Sequence, residues 1–264
     1  MRAGSKDWPR MSDTPFRRRV AARFAEAAAT YDAHSDVQRH AARRLAQRIA
    51  VAGLPPRAHV LEIGCGTGHL TEHLAARLPG ARIITTDIAP AMVTACRTRL
   101  ARFPGIAYAV MDGMHPAING PFDLICANLA AQWFDDLPGA ILGLTRLLAK
   151  DGMLALGILG AGSFREWQMA CEKQGLRPGT LAFPSAQQLK AAFPAGGTID
   201  LVQETWLDHP AGGLDFLRSL RAIGADTPLP GHTPLSVTNL RKVLHELGPA
   251  PAITYELIYA CWQK

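Results

Sequence analysis

The sequence has few cysteines, and their spacing argues against disulfides and zinc. Only five occur in 264 residues: Cys65, Cys96, Cys126, Cys171 and Cys261. Their number is odd and no two form a C-x-x-C pair, so neither a disulfide framework nor a zinc cluster is expected. His69 and His73, four residues apart on a predicted helix, have no third ligand beside them and are interpreted as surface residues. We therefore expect reduced thiols, a cytoplasmic protein and no bound metal.

Long apolar runs are also missing. The uncharged, glycine-rich stretch 152–164 is only 13 residues long, whereas a transmembrane helix needs about 20 apolar residues. No apolar run follows the first basic residues, so a secretory signal is not expected. The arginine triplet at 17–19 leaves an organelle transit peptide as an alternative, although a solvated tail that leads into a helix is the favoured interpretation.

The net charge of +6 is confined to one segment. Residues 1–50 hold 11 Lys and Arg against 5 Asp and Glu, and the other 214 residues hold 17 of each. Such a segment can attract nucleic acid, a membrane surface or an acidic protein. Aromatic residues do not alternate with the basic ones, as they do on surfaces that stack on bases, so nucleic acid is the weaker alternative.

Short apolar runs alternate with helical segments along the chain. Seven strands are predicted at 59–63, 81–86, 106–111, 122–127, 153–159, 198–207 and 253–262. Helices are predicted at 17–30, 36–52, 69–78, 90–100, 137–150, 164–174, 185–193, 214–223 and 236–247. This alternation is typical of an α/β fold in which a mostly parallel seven-stranded sheet has helices on both faces.

The domain organisation follows from the same pattern. Residues 1–18 are expected to form a flexible basic tail, and 19–264 a single α/β domain. Within that domain, lid elements are expected at about 19–50, 160–198 and 208–247.

A glycine-rich loop lies between the first strand and the helix after it. The segment HVLEIGCGTGHL contains Gly64, Gly66 and Gly68, which let the chain turn and let a ligand approach the backbone. A lone G-x-G-x-G is weak evidence. However, Asp87 ends the following strand, where a carboxylate can accept both ribose hydroxyls of an adenosine ligand. The alternative for Asp87 is a helix cap.

The loop differs from the dinucleotide fingerprint G-x-G-x-x-G, because His69 occupies part of the space of the third glycine. Glu62 would repel a pyrophosphate but suits the ammonium of a methionine moiety. E-I-G-C-G-T-G therefore resembles motif I of class I S-adenosylmethionine-dependent methyltransferases, which implies a Rossmann-like fold and that cofactor. In that family an acid like Asp112 accepts the adenine amino group, and methyl transfer occurs beside residues like Asn128 and Leu129. The expected cofactor-binding residues are Glu62, Gly64, Cys65, Gly66, Gly68, Asp87, Ile88, Met92, Met111, Asp112, Gly113, Asn128 and Leu129.

Segments outside this loop resemble the malonyl-acyl-carrier-protein O-methyltransferases of biotin synthesis. They are FA (24–25), AATYD (28–32), SDVQR (35–39), NLAAQW (128–133), FLRSLRAIGA (216–225) and TYEL (254–257). The resemblance implies methyl esterification of the free malonyl carboxylate on its carrier protein, a step that primes pimeloyl synthesis. Methylation of another small carboxylic acid or metabolite is the alternative. A binding protein without catalysis is a further alternative, and a nicotinamide oxidoreductase is the least favoured.

The resemblance also implies substrate-binding residues. Arg218, on the predicted lid helix, would clamp the carboxylate through two parallel hydrogen bonds; its alternative is a solvated helix face. Tyr31 would close the pocket over the sulfonium or donate to the carboxylate, and otherwise is a core tyrosine. Gln132, Trp133 and Arg221 are expected to line the same pocket.

The basic segment gains a partner in this interpretation. Acyl carrier proteins are acidic, so Arg39, Arg43 and Arg44 are expected to steer the encounter with one. Neither nucleic acid nor a membrane is expected as a partner, and the chain is expected to be a monomer.

Overall fold

The computed structural model describes residues 14–229 and 231–264, and seven strands in these ranges form one sheet. They are β1 (His59–Ile63), β2 (Arg82–Asp87), β3 (Ile106–Val110), β4 (Phe122–Asn128), β5 (Leu148–Leu159), β6 (Thr198–Asp208) and β7 (Ile253–Gln263). Their order across the sheet is β3-β2-β1-β4-β5-β7-β6. The first five strands, β1 to β5, run parallel to one another, and β7 is antiparallel to both of its neighbours, β5 and β6. The predicted seven-stranded, mostly parallel sheet is confirmed.

Helices flank both faces of this sheet. In the described part of the chain they are α1 (Thr14–Ala27), α2 (Asp36–Ala50), α3 (His69–Arg77), α4 (Pro90–Arg99), α5 (Leu137–Arg146), α6 (Arg165–Lys173), α7 (Ala186–Ala192), α8 (Gly213–Ala222) and α9 (Val237–Leu247). Leu45 and Ile49 of α2 are buried on one face of the sheet, and Leu137 and Ile141 of α5 on the other. Their spacing of four residues places each pair on a single helix face, which explains their shared burial.

Local sequence signals explain several helix starts. Pro90 stands at the first position of α4, where its missing N–H costs nothing. The Asp136 carboxylate accepts the N–H of Gly139 at 3.0 Å and caps α5. Ser185 and Gln188 form a reciprocal capping box at α7.

The first helix begins earlier than predicted. Helix α1 starts at Thr14, and Phe16 is fully buried. Residues 14–18 therefore belong to helix α1, in contrast to the expected tail boundary at residue 18, and Phe16 and Val20 give this helix a buried apolar face. The remainder of the predicted tail, residues 1–13, lies outside the described residues.

The fifth strand is longer than predicted and the helix before it is shorter. Helix α5 ends at Arg146, and β5 begins at Leu148, so the expected helix over 137–150 is wrong for its last residues. Leu148 is buried and pairs with Phe122 of β4. Asp151, with φ of +62°, lies within β5 where the β4–β5 register shifts, so Asp151-Gly152 marks an irregularity in the strand instead of a helix end.

The segments expected to form a lid do not all lie over the cavities. Helix α2 packs in the core layer against α3. Helix α1, the 3-10 helix Tyr31–His34 and α8 instead border the cavities described below.

Candidate active site

Two adjoining cavities open at the carboxyl ends of the central strands, the edge where ligands bind in open α/β sheets. The small cavity, of about 90 Å³, lies between α1 and the residues that follow β1 to β4. The large cavity, of about 340 Å³, lies between the loop 178–183 and α8. The two cavities share four lining residues, Phe24, Tyr31, Leu129 and Trp133. Ligands in the two cavities would therefore meet at this common wall.

The glycine loop forms the floor of the small cavity. Gly64 and Gly66 line it, with φ of +70° and +53°. A Cβ on Gly64 would lie 2.2 Å from the Cβ of Ala130, and one on Gly66 would lie 3.7 Å from the Tyr31 hydroxyl. A Cβ at Gly64 would therefore clash with Ala130, whereas one at Gly66 would make only an ordinary contact; at both positions the positive φ favours glycine.

Asp87 faces the same cavity and braces the loop. Its carboxylate accepts the N–H of Gly66 at 2.9 Å and that of Ala89 at 2.9 Å. Burial raises the pKa of Asp87, while these backbone donors oppose the rise. The helix-cap alternative is not realised, because the N-cap of α4 is Ala89 and no side chain caps the helix; the bond to Ala89 closes the turn before it. The remaining lone pairs of the two oxygens can still accept ribose hydroxyls.

Asp112 also lines the small cavity, with Met111 and Gly113 beside it. Its Oδ1 accepts the N–H of Met114 at 3.0 Å, and its Oδ2 accepts a hydrogen bond from Arg17 Nη1 at 3.0 Å. The carboxylate is therefore fixed in orientation and remains partly exposed to the cavity. A base with an exocyclic amino group is the kind of ligand that it can bind.

The position of Glu62 corrects its predicted role. Strand alternation turns this side chain under α3, where it is 1% exposed and does not line the small cavity. The hydroxyls of Thr71 and Thr85 donate to its Oε2 at 2.6 and 3.0 Å. Burial raises the pKa of Glu62 to about 7, against the effect of these two donors. Glu62 therefore lies behind the glycine loop and outside the lining of the small cavity.

Three more predicted cofactor residues lie behind the cavity wall. Cys65 packs with Cys96 in a small apolar cluster, Gly68 faces the Cys96 sulfur, and Met92 is fully buried in the core. These residues shape the loop without lining the cavity. The predicted residues that line the small cavity are Gly64, Gly66, Asp87, Ile88, Met111, Asp112, Gly113, Asn128 and Leu129.

The segment after β4 lies at the junction of the two cavities. Leu129 adopts φ of +49°, and its N–H donates to the Gly157 carbonyl at 2.7 Å. Asn128 donates to the Gln38 carbonyl at 3.2 Å. This sharp turn places Leu129 and Trp133 among the residues that line both cavities.

The large cavity is mostly apolar but contains polar atoms that have no protein partner. The Gln132 Oε1 and the Thr227 hydroxyl are buried without a hydrogen bond in the described residues. An unpaired buried acceptor costs free energy unless a ligand or water satisfies it. Gln132 and Trp133, both expected in the substrate pocket, line this cavity with its unsatisfied polar groups.

Of the two arginines expected in the substrate pocket, only Arg221 lines it. Arg218 lies on the outer face of α8, where it is 68% exposed and pairs with Asp215 at 2.9 Å. The predicted clamp role of Arg218 is therefore corrected. The reason is helical geometry: the apolar face of α8, with Phe216 and Leu220, turns toward the core, which leaves Arg218 on the opposite side and Arg221 at its edge.

A polar network holds Tyr31 at the shared wall. The carboxylate of Asp32 accepts a hydrogen bond from the Thr67 hydroxyl at 2.6 Å and pairs with Arg99. His69, predicted at the surface, is in fact buried, stacks near Tyr31 and hydrogen-bonds to Ser35 at 3.0 Å. Burial, with the charge of Arg99, lowers the pKa of His69 to about 4, so the ring is neutral at pH 7.

Helix α1 supplies three lining residues that the sequence interpretation missed. Arg17, Val20 and Phe24 all line the small cavity, and the Phe24 ring contacts that of Trp133 edge-on at 5.5 Å. Their spacing of three and four residues was a usable signal, because it places them on one helix face. What that face covers could not be read from the sequence.

The three arginines expected to steer a partner lie on α2, outside the lining of both cavities. Arg39 pairs with Asp36, and Arg44 with Glu204 at 3.1 Å. Arg43 is exposed and hydrogen-bonds to His40 at 3.3 Å. Of the three, Arg43 offers the charge least engaged by acids of its own chain.

Among the helices that the structure describes, none combines the length and the apolar character needed to cross a bilayer.

The comparisons with known proteins agree with this geometry. Residues 61–154, which run from β1 into β5, match the model of a methyltransferase domain. A crystal structure of the YcgJ protein from Bacillus subtilis has a TM-score of 0.59 at 16% identity, covering 83% of this chain and 97% of that one. The N-methyltransferase NodS from Bradyrhizobium japonicum, solved with S-adenosyl-L-homocysteine, has a TM-score of 0.50 at 20% identity, covering 98% and 93%. These structures share the Rossmann-like fold of this chain.

Curated relatives are more specific. A malonyl-acyl-carrier-protein O-methyltransferase from Magnetococcus marinus is 39% identical over 93% of this chain and 92% of its own length. The biotin biosynthesis bifunctional protein BioCD from Bordetella avium is 44% identical over 95% of this chain, which spans only about half (54%) of that longer protein. A Geobacter sulfurreducens relative of the first name is 31% identical over 94% of this chain and 99% of its own length. The chain therefore belongs to the malonyl-acyl-carrier-protein O-methyltransferase family of S-adenosylmethionine-dependent enzymes.

Proposed function

We propose that this enzyme transfers a methyl group from S-adenosylmethionine to the free carboxylate of a malonyl group held as a thioester on an acyl carrier protein. The methyl ester hides a charge and so lets the malonyl unit prime the pimeloyl chain of biotin. The observation that carries the proposal is the meeting of two cavities at Tyr31, Leu129 and Trp133. One cavity has features that fit the cofactor, and the other has an arginine at its edge and unsatisfied polar atoms in its wall.

The residues of the small cavity fit S-adenosylmethionine. In this proposal Asp87 accepts the ribose hydroxyls and Asp112 the adenine amino group, and Gly64 and Gly66 leave room along the loop for the methionine portion; the lining of the small cavity by all four residues supports these roles. When bound, the cofactor supplies an electrophilic methyl group on a sulfonium. The shared wall is where that methyl group and an acceptor oxygen would meet.

The acceptor needs orientation more than activation. A carboxylic acid with a pKa of about 4 is ionised at pH 7, so no general base is required. Arg221 at the edge of the large cavity is the guanidinium placed to bind a carboxylate. The Gln132 Oε1 can accept an N–H of the pantetheine arm that carries the thioester. Aligning the acceptor oxygen with the methyl group is the main task of these side chains.

Tyr31 is placed to close the junction of the two cavities. Burial and the nearby charges of Asp87 and Asp32 raise the pKa of Tyr31 well above its usual range. The phenol therefore stays protonated at neutral pH and can donate a hydrogen bond. With Phe24 and Trp133 it forms an aromatic wall that excludes water from the reacting atoms.

The partner in this proposal is the acidic carrier protein. The arginines on α2, Arg39, Arg43 and Arg44, would attract it in a salt-dependent way, with Arg43 the least engaged by acids of its own chain. We also place the enzyme in the cytoplasm as a monomer. The five cysteines are buried free thiols, which is compatible with a reducing compartment.

The proposal is tested by mass spectrometry of malonyl-carrier protein after incubation with enzyme and S-adenosylmethionine. The expected result is the addition of one methyl group to the malonyl-loaded carrier. An acetyl-loaded carrier, which lacks the free carboxylate, should remain unmodified. Methylation of free malonate or other small acids, with none on the carrier, would instead support the alternative of a small-acid methyltransferase.

A further inference from the structure

Helix α1 forms one wall of the small cavity, although no residue of this helix belongs to the strand-end motifs that define the cofactor site. Phe16 anchors the helix in the core, and Arg17, Val20 and Phe24 face the cavity. Val20 and Phe24 supply apolar surface. Arg17 is the charged residue that α1 contributes to this wall, and its surroundings indicate what it does.

The guanidinium of Arg17 lies between two carboxylates. Its Nη1 donates to Asp112 Oδ2 at 3.0 Å, and its Nε lies 3.7 Å from Asp135 Oδ2. The same Nη1 also approaches the sulfur of Met114 at 4.0 Å and the ring of His115 at 3.4 Å. The Asp135 side chain is 9% exposed and that of Arg17 22%, so the arrangement is sheltered from solvent. Such a sheltered pair is better ordered than an exposed ion pair.

The consequence falls on Asp112, which follows β3 and has 34% of its side chain exposed. Its Oδ1 is held by the N–H of Met114 and its Oδ2 by Arg17. With both oxygens fixed, the plane of the carboxylate is fixed too. Each oxygen keeps a second lone pair, so the carboxylate can accept one more hydrogen bond from a ligand in the cavity.

We infer that Arg17 is a positioning residue for the nucleobase: it holds the Asp112 carboxylate in the orientation that accepts the 6-amino group of adenine. Asp135 anchors the guanidinium from its other side. The inference rests on the proposed role of Asp112 toward adenine, but it does not depend on which acceptor the enzyme methylates.

The test is calorimetric titration of the full chain, without any acceptor, with two ligands. One is S-adenosylhomocysteine, and the other is its 6-deamino analogue, in which hydrogen replaces the amino group of the base. Wild-type enzyme should prefer the amino ligand by about tenfold or more, the size expected for a hydrogen bond to a charged acceptor. Arg17→Ala should lower the affinity for S-adenosylhomocysteine about tenfold and change the affinity for the deamino analogue by no more than about twofold. The preference of the enzyme for the amino group would then be lost.

Matched variants keep the inference falsifiable. Arg18→Ala removes the same charge from an exposed neighbouring position of α1 and should change neither affinity. Asp112→Ala should abolish the preference as Arg17→Ala does, and Arg17→Lys should give an intermediate ratio. If Arg17→Ala weakens both ligands equally, or neither, Arg17 only closes the helix over the cavity and the inference is wrong. A preference that survives Asp112→Ala would overturn it through its premise.

Discussion

The carboxylate of Asp32 accepts a hydrogen bond from the Thr67 hydroxyl at 2.6 Å. This bond joins the 3-10 helix Tyr31–His34 to the glycine loop that forms the floor of the small cavity. Arg99 of α4 pairs with the same carboxylate. The aromatic wall over the junction of the two cavities is therefore tied directly to the loop beneath it.

Asp32→Ala should weaken cofactor binding through this connection. Its loss frees Tyr31, removes the acceptor of Thr67 and leaves Arg99 with only its longer pair to Glu72 at 3.6 Å. Because the Asp32 side chain is 52% exposed, we expect only about a fivefold rise in the dissociation constant of S-adenosylhomocysteine, ~1 kcal/mol. Asp36→Ala, which removes a more exposed acid of the same segment, should change it less than twofold. Equal effects of the two variants in calorimetry would contradict the role of Asp32.

Gly64→Ala separates steric conflict from backbone strain. At φ of +70°, alanine costs about 1–2 kcal/mol of stability. Gly53 has the same φ but open space around it, so Gly53→Ala is a matched control for that cost. Only Gly64→Ala should also lower the affinity for S-adenosylhomocysteine more than tenfold, because its Cβ would lie 2.2 Å from that of Ala130. The double variant Gly64→Ala with Ala130→Gly should recover much of the loss in a titration; a failure to recover any would exclude this contact as the cause.

The sequence was informative wherever the signal was local. Apolar runs such as 59–63 located the strands, and Asp87 and Asp112 could be placed because the residues after parallel strands meet at one edge of the sheet. The buried position of Glu62 could not be read from the sequence, because the register that places Thr85 beside it is a pairing between strands. The contact between Arg17 and Asp112 joins residues 95 positions apart, and no local pattern encodes such a contact.

The misassignment on α8 is of a different kind, because the sequence did contain the correction. Phe216 and Leu220 mark the buried face of the helix by their spacing, and Arg218 lies opposite them. Leu217 and Arg221, four residues apart, lie along one edge of that face, and both line the large cavity. A helical projection of α8 would have favoured Arg221.

Glu62→Gln should change the pH dependence of stability in a defined direction. Burial raises the pKa of Glu62 from 4.5 to about 7 in the folded protein. The folded state therefore binds more protons than the unfolded state between these pH values, and this group's contribution to stability is lost as the pH rises through about 7.

Glutamine stays neutral across this range. The free energy of unfolding of Glu62→Gln should therefore increase relative to that of wild type as the pH rises from 4.5 to 8. Urea denaturation of both proteins across this range measures the difference, in which the other titrating groups cancel. Asp123→Asn, at a carboxylate that accepts the N–H of His59 near the start of β1, controls for the loss of one negative charge. A constant difference between Glu62→Gln and wild type would show that Glu62 is ionised in the folded protein.

Arg221→Ala and Arg218→Ala distinguish a carboxylate clamp from a surface charge. Both variants remove one exposed guanidinium from α8, and both residues border a surface cavity beside α1. Only Arg221 also lines the large cavity, whereas Arg218 is paired with Asp215. A hydrogen-bonded charge pair with the substrate is worth about 1.5–3 kcal/mol, so Arg221→Ala should lower kcat/KM for malonyl-carrier protein by at least about tenfold. The affinity for S-adenosylhomocysteine should stay within about twofold of wild type in both variants, because neither residue lines the small cavity.

The control variant Arg218→Ala should keep kcat/KM within about threefold of the wild-type value. This small loss would come from long-range attraction to the acidic carrier protein, and it should disappear at high salt. If Arg218→Ala alone abolished turnover at both low and high salt, α8 would have to rotate on substrate binding, and the assignment of Arg221 would be wrong.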